Sequence, residues 1–253
     1  MLRLDSVCKR YGDFVAVDDL SLHIAPGRLF GLLGPNGAGK TTTMKMVAGL
    51  VAPTSGRIEV GGLDVKTAPL EVKARIGYVP DRPNLYERLT AREYMYFIAG
   101  LYRMQKAVVL PRTDELLGLF GLGHRRDALI EGFSHGMKQR LVMASVLLHE
   151  PSLLIVDEPM VGLDPRGIRL LKEVLRAQTR ELGRTVVFST HTLIDAEELC
   201  DEVAIIHRGR IVAQGAPRDL MAGEGEARAR LEEVFMQLTA DDETGLSPLG
   251  NAD

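Results

Sequence analysis

The chain contains little cysteine and few aromatic residues. Its 253 residues include two cysteines, Cys8 and Cys200, which lie far apart and show no C-x-x-C spacing. This pattern argues against a disulfide-stabilised scaffold and against a cysteine-based metal site, and it fits a reducing compartment. Tryptophan is absent and aromatic residues make up only 5% of the chain, so any local concentration of aromatic side chains stands out.

The chain also lacks a charge bias and a long apolar run. The 31 basic and 34 acidic residues give a net charge of −3, which implies no overall attraction to nucleic acid or to an anionic membrane. No stretch approaches the roughly 18 consecutive apolar residues that cross a bilayer, and residues 1–5 form no apolar core of a signal peptide. We therefore expect a soluble chain that is not secreted and has no nucleic-acid partner.

Hydrophobic residues make up 45% of the chain, which at this length is enough to bury a substantial core. Alternating apolar and polar residues at 2–8 and 16–24, on either side of a turn, predict two antiparallel strands. Further strands are expected at residues 57–60, 76–79, 153–156, 185–189, 203–207 and 210–213. Two of these, at 153–156 and 185–188, are almost entirely apolar, as strands in the centre of a parallel sheet are.

The hydrophobic pattern of the sequence changes between residues 83 and 150. Helical patterns at 92–102, 114–120 and 138–149 replace strands there, which predicts a helical subdomain inserted into an α/β core. The expected organisation is therefore an α/β core formed by residues 1–82 and 151–222, a helical subdomain at 83–150, and a C-terminal helix with a disordered tail at 223–253.

The most informative stretch is Leu29–Thr41, in which a short apolar strand runs directly into the pattern G-x-x-x-x-G-K-T. This pattern is typical of a loop that binds nucleotide phosphates, because its glycines let successive N–H groups point at one anion and the following helix adds its positive end. The predicted nucleotide-binding residues are Gly34, Pro35, Asn36, Gly37, Ala38, Gly39, Lys40, Thr41 and Thr42. We expect Lys40 to reach the β and γ phosphates and the Thr41 hydroxyl to hold Mg²⁺. A glycine-rich turn that matches by chance is the alternative, and the flanking strand and helix patterns argue against it.

Two carboxylates, Asp157 and Glu158, follow the apolar run at 153–156. Ligand sites in open α/β sheets lie at the C-terminal ends of such strands. Asp157 suits the role of holding Mg²⁺, directly or through a water, and Glu158 suits the deprotonation of an attacking water. Alone, Asp-Glu-Pro could equally form a strand-to-loop turn, but a phosphate loop in the same chain favours the catalytic interpretation.

His191 follows the apolar run that ends at Phe188, so it should emerge at the same edge of the sheet. There it could contact a γ-phosphate. A single histidine after a strand is more often a turn or core residue, so this assignment depends on its position relative to the other motifs.

Taken together, these motifs and their order resemble the ATP-binding cassette (ABC) family over residues 2–220. In that family an aromatic residue near the first hairpin stacks on adenine, and Tyr11 stands at this position. His191 matches the family's switch histidine. The segment Gly162-Leu163-Asp164-Pro165 is similar to the loop that links two composite sites, and the resemblance implies that Asp164 contacts the nucleotide bound by the partner cassette.

The family's signature motif corresponds here to residues 132–140, just before the magnesium-binding strand. The resemblance implies that Ser134 and Gly136, at the start of a helix, form a second anion-binding end. In the family this end caps the γ-phosphate held by the partner's phosphate loop. A dimer of cassettes is therefore implied by the resemblance alone.

The resemblance implies a P-loop NTPase core of the ABC type, with a mixed central sheet, antiparallel N-terminal strands and an inserted helical subdomain. It also implies ATP and Mg²⁺ as cofactors, ATP hydrolysis, a second ABC subunit in a homo- or heterodimer, and a separate integral membrane permease. The location implied is the cytoplasmic face of the cell membrane, reached through that permease. The signature variant is similar to those of single-cassette subunits of exporters.

Two positions depart from the family pattern. Asp81, in Ile-Gly-Tyr-Val-Pro-Asp, stands where most members have glutamine. A carboxylate only accepts hydrogen bonds, so Asp81 could bind Mg²⁺ more strongly but would repel the triphosphate. We expect it to be a metal ligand. The signature reads Phe-Ser-His-Gly-Met where Leu-Ser-Gly-Gly-Gln is usual, which places His135 and Met137 at unusual positions.

Residues 92–102 are rich in aromatic side chains. In the family this region flanks a groove that receives a coupling helix of the membrane subunit, whereas a stripe at helical spacing is more often plain core. Both interpretations remain open at this stage.

Two other functions deserve comparison with transport. A soluble ABC ATPase acting on nucleic acid or ribosomes would carry two cassettes or a long coiled-coil insertion, and this sequence has neither. A nucleotide-dependent switch without hydrolysis is the other alternative, and Glu158 with His191 argues against it.

Overall fold

The computed structural model describes residues 1–221, so the helix and tail expected at 223–253 lie outside the described residues. The strands are β1 (Leu2–Tyr11), β2 (Phe14–Ile24), β3 (Leu29–Leu33), β4 (Ser55–Val60), β5 (Leu63–Asp64), β6 (Ile76–Val79), β7 (Leu153–Val156), β8 (Thr185–Thr190), β9 (Glu202–His207) and β10 (Arg210–Gly215). The α-helices are α1 (Lys40–Val47), α2 (Pro69–Arg75), α3 (Ala91–Leu101), α4 (Lys106–Leu119), α5 (His135–Leu147), α6 (Pro165–Arg180), α7 (Leu193–Leu199) and α8 (Pro217–Met221). Within residues 1–221, no helix has both the length and the hydrophobicity needed to cross a membrane.

The N-terminal strands form an antiparallel sheet in the order β2-β1-β4-β5. Leu2 pairs with Ile24 and Tyr11 pairs with Phe14 across the first hairpin. Leu2, Leu4, Leu20 and Ile24 are all buried, because every second residue of a strand points to the same face. The predicted antiparallel pair is confirmed.

The second sheet is mixed and has the order β10-β9-β3-β8-β7-β6. Its central strands β3, β7 and β8 are parallel and buried at every position, which explains their continuous apolar runs. Parallel strands end at one common edge of the sheet, so the loops after β3, β6, β7 and β8 meet there. The predicted α/β fold with a mixed sheet is confirmed.

Between β6 and β7 the described chain forms α3, α4, α5 and two short 3-10 turns, at Gly123–Arg125 and Ile130–Gly132. Helix α3 starts with a capping box in which the Thr90 hydroxyl accepts from the Glu93 N–H and the Glu93 carboxylate accepts from the Thr90 N–H. The helices predicted for this segment are present, and α4 starts earlier than the pattern indicated.

These helices share one hydrophobic core with the mixed sheet. Met95, Leu116 and Leu141 belong to the same buried cluster as Val156 and Phe188. Burial of each such side chain contributes roughly 1.5–3 kcal/mol, so packing against the sheet stabilises the helical segment. Its division from the core at residues 83 and 150 remains a proposal.

Candidate functional site

The phosphate loop lies between β3 and α1, and two of its glycines have backbone angles that other residues rarely adopt. The φ angles are +82° at Gly37 and +108° at Gly39. A Cβ on Gly39 would lie 2.6 Å from the Ala16 carbonyl oxygen, and one on Gly34 would lie 2.3 Å from that of Ile206. A side chain is excluded by conformation at Gly37, by space at Gly34 and by both at Gly39. The loop therefore closes tightly and can present its N–H groups to an anion.

Lys40, the first residue of α1, is almost fully buried over this loop. Its Nζ donates to the carbonyl oxygens of Gly34 at 2.7 Å and Pro35 at 3.0 Å. The same Nζ lies 3.2 Å from Glu158 Oε1. The loop therefore holds a positive charge directly beside the proposed catalytic carboxylate.

Asp157 follows β7 and its side chain is fully buried, with 0% exposure. Its Oδ1 accepts from Ser189 Oγ at 2.6 Å, while Oδ2 has no hydrogen-bond partner among residues 1–221. Burial raises the pKa of Asp157, and the hydroxyl groups of Ser189 and Thr41 oppose that rise. An unpartnered buried carboxylate oxygen is costly, and a cation would relieve that cost.

Glu158 adopts a left-handed backbone conformation, with φ of +45°. A non-glycine residue there costs on the order of 1–3 kcal/mol, and such strain clusters at functional sites. Its N–H donates to Ser189 Oγ at 2.8 Å, and its Oε2 lies 2.9 Å from His191 Nδ1. The carboxylate is thus fixed between Lys40 and His191, as a general base must be.

Sequence reasoning did not identify Ser189. Its hydroxyl donates to Asp157 and accepts from the N–H of Glu158, so it joins both carboxylate residues. The strand register explains this position, because Val156 pairs with Phe188 and the next residues on each strand are therefore neighbours. The register is a property of the tertiary structure, so the sequence offered no local signal for Ser189.

A cleft of about 280 Å³ opens above the phosphate loop. It brings together most of the predicted nucleotide-binding residues with Asp81 and Glu158. Its lining consists of Phe14, Ala16, Pro35, Asn36, Gly37, Gly39, Lys40, Thr41, Thr42, Asp81 and Glu158. Ala38 is buried beneath the loop, where its N–H donates to the Pro35 carbonyl at 3.2 Å.

The first hairpin contributes an aromatic side chain to the cleft, but it is Phe14 and not Tyr11. Tyr11 is 48% exposed and Phe14 is 63% exposed. Lys9 Nζ lies 4.9 Å from the centre of the Tyr11 ring. Sequence reasoning missed Phe14, although its place opposite Tyr11 in the hairpin was a usable signal. The role of Tyr11 remains a prediction.

The residues expected to act on a second cassette lie together but do not line this cleft. Ser134 caps the N terminus of α5, and Asp164 caps that of α6. A Cβ on Gly136 would lie 3.5 Å from Leu163 Cδ2, and one on Gly162 would lie 2.7 Å from His135 Cδ2. Two helix N termini therefore stand side by side. The N terminus of α5 is capped by a neutral hydroxyl and keeps its positive dipole end, whereas the Asp164 carboxylate offsets that of α6.

The residues present fit a magnesium ion that is held mainly by a nucleotide. Asp81 lines the cleft, and its charge is one of the causes that raise the pKa of the buried Asp157. No group of three or more His, Cys, Asp or Glu side chains in the described part of the chain could hold a metal by itself. Mg²⁺ is commonly bound by one or two carboxylates together with phosphates and water.

Comparison with known proteins gives the family. A family model described as ABC transporter matches residues 17–161. The chain is 41% identical over 223 residues to the Nod factor export ATP-binding protein I of Paraburkholderia xenovorans, covering 88% of this chain and 73% of that protein.

Two solved structures share the fold. One, an ATP-binding subunit of an ABC transporter, has a TM-score of 0.86 and 35% identity, and covers 94% of this chain and 99% of that one. The other is a dimeric ATP-binding cassette in a post-hydrolysis state bound to ADP and Pi, with a TM-score of 0.79, 25% identity and coverage of 86% and 99%. The resemblance inferred from the motifs is confirmed, and the chain belongs to the ABC transporter family.

Proposed function

We propose that this chain is the ATP-binding and ATP-hydrolysing subunit of an ABC transporter that drives export through a separate membrane permease. One observation carries the hydrolytic part: the Glu158 carboxylate lies between Lys40 Nζ and His191 Nδ1, at the mouth of the phosphate loop. This geometry combines a phosphate-binding cation with an oriented base, two of the parts that ATP hydrolysis uses together with Mg²⁺.

Different residues of the site bind the phosphates, hold Mg²⁺ and accept the proton. The N–H groups of the loop and the Lys40 ammonium bind the phosphates. Thr41, Asp157 and Asp81 would hold Mg²⁺, which supplies charge neutralisation at the β and γ phosphates. Phosphate competes with Glu158 for Lys40, and this frees a carboxylate oxygen to accept the proton of a water. His191 keeps the other oxygen oriented.

The site is completed by a second cassette. Ser134, Gly136 and Asp164 lie outside the cleft of their own chain, yet they share one surface at two helix N termini, of which that of α5 has a positive dipole end with no acidic cap. We place this surface against the γ-phosphate of a partner cassette. The dimeric state of the solved relative bound to ADP and Pi supports this arrangement.

A groove beside α3 is the surface that we assign to the permease. It has a volume of about 380 Å³ and is lined largely by apolar and aromatic side chains, among them Leu50, Tyr94, Ile98 and Tyr102. The aromatic side chains of α3 lie on two different faces of the helix: Tyr94 is buried, whereas Phe97 is 40% exposed. Exposed apolar surface of this kind marks an interaction site. Docking there would hold the chain at the cytoplasmic face of the membrane.

The direction of transport is proposed from the relatives. The curated relative from Paraburkholderia xenovorans is named for Nod factor export, and its similarity extends over 88% of this chain. The cargo site would belong to the permease, so the chemistry of this chain does not specify a substrate.

The substitution Glu158→Gln tests the proposal. Loss of the base should lower kcat for ATP by at least about 100-fold, while ATP still binds and an ATP-bound dimer accumulates. Steady-state ATPase assays and size-exclusion chromatography with ATP measure the two effects. The matched control is Glu181→Gln, an exposed residue just after α6.

Undiminished hydrolysis by the Glu158→Gln variant would remove the base assignment. The assay also addresses the alternative function. An export ATPase should hydrolyse ATP without DNA or RNA, so a strong stimulation by either would favour a soluble ATPase that acts on nucleic acid.

A further inference from the structure

His191 is held by its neighbours in the chain rather than by its own contacts. Its ring is exposed, and within residues 1–221 its one side-chain hydrogen bond is the contact with Glu158. A single bond leaves an exposed ring free to rotate away. Something else must fix the backbone that carries it.

The residues on either side of His191 are tied into one chain of hydrogen bonds. The Thr192 hydroxyl donates to Asp195 Oδ2 at 2.6 Å, and the Thr192 N–H donates to Thr190 Oγ1 at 3.0 Å. The two threonine hydroxyls lie 3.1 Å apart. Because the proton of Thr192 is used by Asp195, the Thr190 hydroxyl donates to Thr192. Hydrogen bonds therefore link the residue before His191 to the residue after it, and that residue to Asp195.

Asp195 is in turn anchored to α6. Lys172 Nζ lies 2.8 Å from Asp195 Oδ1, and the two side chains are only 12% and 18% exposed. Burial acts to raise the pKa of Asp195, but the hydrogen bonds from Lys172 and Thr192 outweigh it and hold that pKa below its ordinary value. Both carboxylate oxygens of Asp195 therefore accept a hydrogen bond. Hydrogen bonds to an ionised carboxylate are stronger than those between neutral groups.

Lys172 itself cannot easily move away. It also pairs with Glu198, which Arg176 contacts at 2.9 Å, so α6 and α7 are joined by a small network of charges. Helix α6 has 16 residues and begins at the cap formed by Asp164. The helix that presents Asp164 to a partner therefore also supports the loop of His191.

We propose that Asp195, held by Lys172, is a positioning residue that fixes His191 against Glu158 during ATP hydrolysis. This inference rests on the proposed function, because it assigns a task to the same base and histidine. Displacement of a catalytic group by about 1 Å can cost about 100-fold in rate. Loss of the anchor should therefore reduce turnover without changing the phosphate loop.

Asp195→Ala and Thr192→Val interrupt the chain of hydrogen bonds around His191 at two different points. Each should lower kcat by about 10-fold or more, while KM for ATP and the affinity for ATP change by less than about 2-fold. Glu197→Ala is the matched control, since Glu197 is an exposed acid on the same helix with no ion pair in the described part of the protein. Lys172→Met should reproduce the loss seen with Asp195→Ala.

A double-mutant cycle separates positioning from general destabilisation. In a His191→Ala background, Asp195→Ala should cause no further loss of kcat, because the group that it positions is gone. If Asp195→Ala lowers kcat by the same factor in the His191→Ala background as in the wild type, the two residues act independently and the inference is wrong. Thermal melts identify a variant that fails to fold, and Thr192→Val, which keeps the shape of the side chain, then carries the same prediction.

The possible failures are distinguishable. If Glu158→Gln and His191→Ala retain full turnover, the proposed site is wrong and the inference falls with it. If both lose turnover while Asp195→Ala and Thr192→Val behave like Glu197→Ala, only the inference is wrong.

Discussion

At the scale of single residues, burial decides the chemistry of side chains that look ordinary in the sequence. Asp157 and Ser189 form a fully buried pair in which one hydroxyl serves two neighbours. His149 is another case. Its ring stacks on Tyr102, with centroids 3.7 Å apart, and its Nε2 contacts the Ile76 carbonyl. Burial lowers the pKa of His149, the charge of Arg184 adds to this, and the Ile76 contact opposes it.

This shift predicts a pH dependence of stability. A histidine whose folded pKa is lowered binds its proton more readily in the unfolded chain, so its contribution to stability is present above about pH 6.5 and is lost as the pH falls below that value. The melting temperature should therefore decrease between about pH 7.5 and pH 5. His149→Gln should reduce that slope.

The control is His124→Gln, because His124 is exposed. Thermal unfolding followed by circular dichroism over this pH range measures both variants. Equal slopes for the wild type and for His149→Gln would show that protonation of the half-buried His149 ring does not contribute.

At the scale of elements, the first hairpin and the ends of parallel strands build the site. Strands β1 and β2 present two aromatic side chains, opposite each other, at their turn. The sequence pattern selected Tyr11, whereas the cleft is lined by Phe14. Both residues lie at the end of the hairpin, and only the path of its backbone over the loop determines which ring reaches the cleft.

We expect Phe14→Ala to weaken ATP binding at least as much as Tyr11→Ala. Stacking on a base is worth about 1–3 kcal/mol by alanine substitution, so the loss should be about 5-fold or more in Kd. Fluorescence titration with a nucleotide analogue measures it. Leu70→Ala is the control, since Leu70 is also an exposed apolar residue but does not line the cleft. A Phe14→Ala variant with wild-type affinity, beside a weakened Tyr11→Ala, would assign the base contact to Tyr11.

At the scale of the whole molecule, the two parts of the proposed site do not line one cleft in a single chain. The cleft with Lys40 and Glu158 is one of them, and the paired helix N termini at Ser134 and Asp164 form the other. In the proposed dimer, a two-fold axis would place the cleft of each chain against Ser134 and Asp164 of the other.

Gly136→Asp should therefore block assembly without blocking nucleotide binding, because it adds a negative charge where a γ-phosphate is expected. In the Glu158→Gln background, the ATP-dependent dimer should be lost while the Kd for ATP of the monomer changes by less than about 2-fold. Analytical ultracentrifugation measures the dimer. Gly118→Asp is the control, because Gly118 lies on a helix with open space around it. A dimer that survives Gly136→Asp would exclude this surface from the interface.

The sequence by itself determined the phosphate loop, the two carboxylates after β7 and the antiparallel strands at the N terminus. These features depend on contacts between near neighbours: a glycine spacing, a strand that ends in two acids, an alternation of period two. Local patterns of this kind can be recognised in the sequence before the fold is known. For the same reason, the helices predicted between β6 and β7 are present.

Only the tertiary structure decided which distant residues support the site. Ser189 meets Asp157 because β7 and β8 are in register, and Lys172 meets Asp195 because α6 lies beside the first turn of α7. Phe14 reaches the cleft because the first hairpin passes over the phosphate loop. Each contact joins segments that are far apart in the chain. Their distance depends on how whole elements pack, and no local spacing of residues encodes that.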